Sequence, residues 1–125
     1  MKIEAKYTTI LEQYFKNKVF YCYYEVKQTS TKSFQFSKIR KCQKEGMPAV
    51  EKSGLVWKFS DETSREKPID GQSAPPLPTY LIILFNKEEF CFVPQNEIAK
   101  LIKQGEVSIS RSKAEELSDK IIKIK

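Results

Sequence analysis

Two runs rich in large apolar residues, Thr79–Phe85 and Glu89–Val93, stand on either side of the polar triplet Asn86-Lys87-Glu88. Runs of this composition joined across a short polar break read as a β-hairpin. The chain therefore builds a sheet, and the segments around the hairpin set the class of fold. Ile3, Tyr7, Ile10, Leu11, Tyr14 and Phe15 recur at helical spacing, which predicts an amphipathic helix over Ile3–Lys16. Val19–Lys27 and Leu55–Phe59 are aromatic and β-branched and read as strands. A second helix is expected to start near Ser37, a suitable N-cap, and to run through Ile39 and Cys42. It should break or kink at Gly46 and Pro48, because proline lacks an N–H and clashes with the preceding turn. Asn96–Gln104 reads as a helix stopped by Gly105. Ser112 and Glu115 have capping-box spacing for a helix to about Ser118. Val107–Ile109 and Ile121–Lys125 read as short strands. Ser60–Pro78, with Gly71 and four prolines, reads as a long loop. This order describes a mixed α/β (α+β) domain, and 125 residues suit one domain over 1–125.

Composition narrows the chemistry. The chain has no histidine, so Ser-His-Asp and Cys-His nucleophiles and Cys/His zinc sites are excluded, and three cysteines cannot form a four-thiolate site. Cys22, Cys42 and Cys91 are odd in number and widely spaced, a pattern expected of reduced, buried thiols in a cytoplasmic protein. Met1–Lys18 lacks the apolar region of a signal peptide, and no apolar run reaches the length of a membrane span. The net charge is +6. Residues 1–50 carry ten basic and four acidic side chains, and Val26–Lys44 holds Lys27, Lys32, Lys38, Arg40, Lys41 and Lys44 with no acid among them. Such a stretch is the footprint of phosphate-backbone binding, or else a solvated lysine-rich surface.

Side chains alternate across a strand, so Phe20, Cys22, Tyr24 and Val26 share one face and Tyr21, Tyr23, Glu25 and Lys27 the other. With the first set buried, Glu25 and Lys27 stand side by side at the strand's end. Glu25 would ligate Mg²⁺, and Lys27 would orient an attacking water and stabilise phosphate charge. The plainer reading is a cross-strand ion pair. Asp70, between Pro68 and Gly71, suits a metal ligand or an ordinary Asp-Gly turn. Arg40 and Gln43 share a helix face, either for phosphate and water or simply facing solvent. Glu4 lies at the edge of the first apolar stripe and Glu12 farther round. The cluster of Tyr21, Tyr23 and Tyr24 could stack bases, although packing against the sheet is preferred for Tyr24. Cys42 and Cys91 read as core residues.

Taken in order, Tyr24–Thr29, Ser33–Ser37, Ile39-Arg40 with Gln43, Gly54–Asp61, Lys67–Asp70 and the hairpin through Pro94 resemble the PD-(D/E)xK nuclease superfamily. The resemblance is to its Holliday-junction-resolvase-like branch, which includes small phage and prophage members. It implies a restriction-endonuclease-like mixed sheet flanked by helices and a Mg²⁺-dependent endonuclease, with Mn²⁺ substituting. It also implies branched DNA as substrate and a homodimer. By position it makes Glu25 the strand carboxylate, Lys27 the catalytic lysine, Gln43 the supporting glutamine and Glu4 the first-helix glutamate. One departure matters. The family's Asp precedes the acidic-x-Lys strand, whereas here no Asp precedes Asp61. Either Asp70 or Asp61 reaches in from the long loop, or the second metal ligand is missing and the protein binds nucleic acid, or a phage partner, without cutting.

Overall fold

The computed structural model describes residues 3–17, 20–58 and 69–124. The hairpin is its centre. Strands β5 (Thr79–Phe85) and β6 (Glu89–Pro94) pair antiparallel and are buried along nearly their whole length. Around them the order is β1-β5-β6-β8, with β1 (Tyr23–Thr29) parallel to β5 and β8 (Lys120–Lys123) antiparallel to β6. The architecture is mixed α/β, with a central mixed sheet and four helices among the described residues.

Alternation along the hairpin feeds two cores. Leu81, Ile83, Phe85, Cys91 and Val93 point to one face. There they meet Met47 of α2 (Lys41–Ser53), Ile98 of α3 (Gln95–Lys103) and Ala114 of α4 (Arg111–Leu117). Phe34 and Ile109, paired in the ribbon of β2 (Ser33–Gln35) and β7 (Ser108–Ser110), close that side. Tyr80, Ile82, Leu84, Phe90 and Phe92 point to the other face, covered by Tyr7 and Leu11 of α1 (Ala5–Asn17). Each fully buried Phe, Leu or Ile contributes roughly 1.5–3 kcal/mol, so these two layers supply most of the folding drive.

Several boundaries differ from the sequence reading, each for a local reason. The first strand begins at Tyr23, where the Tyr23 N–H bonds to the Pro78 carbonyl at 3.0 Å and the ladder with β5 opens. Ser37 is not an N-cap. Phe36 and Ile39 are both buried, and a 3-10 turn over Phe36–Lys38 brings them into one core. The helix then starts at Lys41, with Arg40 as N-cap. Pro48 does not end α2. Pro48 cannot donate to the Lys44 carbonyl, and both residues are exposed, so water can serve there. Helix α4 is capped by Ser110, whose Oγ accepts from the Lys113 N–H at 3.1 Å, rather than by Ser112. Within the expected loop, Gly71–Ala74 forms β4, antiparallel to β3 (Leu55–Lys58), while residues 60–68 lie outside the described residues. Gly54 joins α2 to β3 at φ +80°, and a Cβ there would run into the Ala74 carbonyl oxygen.

Candidate nucleic-acid interface

β1 is an edge strand whose residues, apart from Thr29, are only half-buried or exposed. Alongside it runs a groove of about 820 Å³ lined by Tyr24–Ser30. Pairing with β5 in register fixes which way each side chain points, because Glu25 lies beside Leu81 and Lys27 beside Ile83. Glu25 and Lys27 therefore face the α2 side, while Tyr24 and Val26 face α1.

The two walls differ in chemistry. On the α1 side Ile3, Tyr7, Leu11, Val26 and Phe90 make an apolar surface, and Tyr24 stacks on Phe15 with ring centroids 5.0 Å apart. On the α2 side Glu25, Lys27, Lys38 and Arg40 gather, so that wall carries a net positive charge. The Lys27 ammonium lies 3.5 Å from Glu25 Oε1, with the lysine side chain 17% and the glutamate 33% exposed. The expected neighbours are thus brought together, as an ion pair within one strand rather than across two.

Other candidates lie elsewhere. Gln43 does not line the groove; its Oε1 accepts the Arg40 N–H at 3.1 Å and so fixes the start of α2. Glu4 does not line it either. Its carboxylate holds the Lys87 ammonium at 3.3 Å, and Lys87 is the groove residue. Asp70 is exposed just before β4 and does not line the groove, and Asp61 falls outside the described residues. Lys32, Lys41 and Lys44 are exposed but not part of the lining, and Lys41 approaches Glu45 at 4.0 Å. Cys42, expected in the core, is exposed, because α2 begins at Lys41 and turns Met47 inward instead. Cys91 is buried as expected. Lys87 was missed. The only sequence signal was its place in the polar hairpin turn, where Asn86 and Lys87 take positive φ, 49° and 58°, and the contact with Glu4 shows that the tip lies beside the N-terminal segment.

Among the described residues, no three acidic or cysteine side chains converge to hold a metal ion. The Mg²⁺ centre that the resemblance implies needs a second carboxylate beside the strand glutamate, with water or substrate phosphate completing the octahedron. The described groove offers one carboxylate, Glu25, already partnered by Lys27. That donor set does not fit a metal centre by itself. No helix among the described residues is long and apolar enough to cross a membrane. Comparison with known proteins finds no matching family model, no curated relative and no matching solved structure.

Proposed function

We propose that this protein binds nucleic acid through the basic wall beside β1. The observation that supports the reading is the gathering of Lys27, Lys38 and Arg40 at one groove with Glu25 as the single acid among them. Lys and Arg spaced along a groove neutralise successive phosphates and release counterions, which gives sequence-independent affinity. Tyr24 and the exposed Tyr21 stand near the same strand, where unpaired bases could stack. The test is fluorescence anisotropy with labelled single-stranded, duplex and four-way-junction DNA at low salt. Wild type should bind, and Lys38→Ala with Arg40→Ala should weaken binding about tenfold or more. Absence of binding to all three forms by the wild type would overturn the proposal.

A second reading is a Mg²⁺-dependent endonuclease on a restriction-endonuclease-like fold, acting on branched DNA. What favours it is the adjacency of Glu25 and Lys27 within that wall. It requires a second carboxylate, and Asp61 or Asp70 would have to supply it. Incubating a labelled junction with Mg²⁺ or Mn²⁺ decides the matter. Cleavage lost in Glu25→Ala supports this reading, whereas binding without cleavage leaves the first.

A further inference from the structure

Strand β1 ends the sheet, and among the described residues no strand pairs with its outer edge. Which backbone groups point outward follows from the inner ladder. The Tyr23 N–H bonds to Pro78 and the Thr29 carbonyl accepts from Asn86, both on the β5 side. In a parallel ladder the direction alternates by residue, so the odd residues serve β5, and Val26 directs both its N–H and its carbonyl outward. The groove along this strand is lined by side chains from both of its faces, which stay half-exposed while β5 and β6 are buried. One more strand could lay its backbone against this open edge and leave Lys38 and Arg40 beside it.

We propose that the occupant is β1 of a second copy, paired antiparallel about a two-fold axis at Val26. Val26 meets Val26 of the copy and exchanges two backbone hydrogen bonds. Glu25 then lies opposite Lys27 of the copy, and Lys27 opposite Glu25, at positions where cross-strand Cβ atoms come within roughly 5 Å. Charge selects this register. Displacing the axis by one residue toward the N-terminus sets Glu25 against Glu25, and one residue the other way sets Lys27 against Lys27. At the opposite edge β8 carries only Lys120 and Lys123 as charged residues, a one-signed pattern that repels its own copy. The joined sheet keeps Lys38 and Arg40 of both copies on one face, flanking the seam.

The experiment is analytical ultracentrifugation with charge variants. Wild type should dimerise, and Glu25→Lys or Lys27→Glu alone should raise the dimer dissociation constant about tenfold or more, because each sets like charges opposite one another twice. Mixing the two single variants should give a heterodimer in preference to either homodimer. Val26→Pro removes an outward N–H that β5 does not use, so it should yield a folded monomer by circular dichroism. Hydrogen exchange at the Val26 amide should slow as protein concentration rises. A monomeric wild type, a dimer indifferent to these substitutions, or a Val26 amide protected only when DNA is added would each overturn the proposal.

Discussion

Glu89 is the one buried carboxylate among the described residues, at the head of β6 with its side chain 4% exposed. Arg111 reaches it at 3.3 Å and also holds Glu88 at 3.0 Å. Burial alone would raise the Glu89 pKa. The bonds from Arg111 and the hydrogen bond shared with Glu115 outweigh it, so the carboxyl titrates below its ordinary 4.5, while Glu115 is held above that value. The stabilisation from a depressed carboxyl is present above its ordinary pKa and lost as pH falls through the folded one. Arg111→Ala reverses the sign, because burial then dominates and Glu89 prefers its proton. We expect a loss of about 3 kcal/mol near neutral pH that starts to shrink as pH falls through the variant's raised Glu89 pKa and fades below the wild type's lowered one. Urea denaturation at both ends of that range checks it, and an equal loss at both would contradict the charge account. The cysteines give a second residue-level expectation. Burial pushes the Cys22 thiol up to about 11, and burial with the nearby Glu89 pushes Cys91 up to about 12. Cys42 is exposed. One thiol should therefore react rapidly with a disulfide reagent in the native protein, and three after denaturation. The burial of Cys91 was legible in the sequence but the exposure of Cys42 was not, because cysteine has a small apolar side chain and its spacing says nothing of which helix face will turn inward.

Among the elements, α2 carries the clearest tests. Gly46 lies mid-helix with open space where a Cβ would go. Gly46→Ala should stabilise the protein by about 0.5–1 kcal/mol, read by urea denaturation. Gly54→Ala should destabilise it strongly, since positive φ and the Ala74 carbonyl both oppose a side chain. A neutral Gly54→Ala would show that α2 and β4 do not meet as described. The elements most legible in sequence were those whose own composition decides them. The hairpin was read almost to the residue because β5 and β6 are apolar on both faces and the polar turn admits one break. α1 was legible from its period. α2 was not, because its start depends on Phe36 and Ile39 finding a distant core, and its passage through Pro48 depends on which side meets water. At the candidate interface, alternation correctly put Glu25 and Lys27 on one face. That β1 lies at the sheet's edge is a matter of strand order, which one sequence does not encode locally.

At the level of the whole molecule, the charge surplus of the first fifty residues is folded against a nearly neutral remainder. If the basic wall meets phosphates, the logarithm of the binding constant should fall linearly with the logarithm of salt concentration. Replacing Lys38 and Arg40 together should flatten that slope by about two units. An unchanged slope would place the contacts elsewhere. The parallel pairing of β1 with β5 carries a different consequence. Tyr23 must find Thr79 across the whole of α2, β3 and β4, whereas β5 meets β6 across a three-residue turn. Closing that long loop costs chain entropy before any pairing rewards it. During refolding the central hairpin should therefore nucleate, and the edge strand should dock late, in milliseconds to seconds rather than microseconds, roughly as mixed-topology domains of higher contact order do. A newly made chain thus passes through an interval in which β5 has one side unclaimed and β1 has both, and in that interval the charged residues of β1 decide which strand it joins.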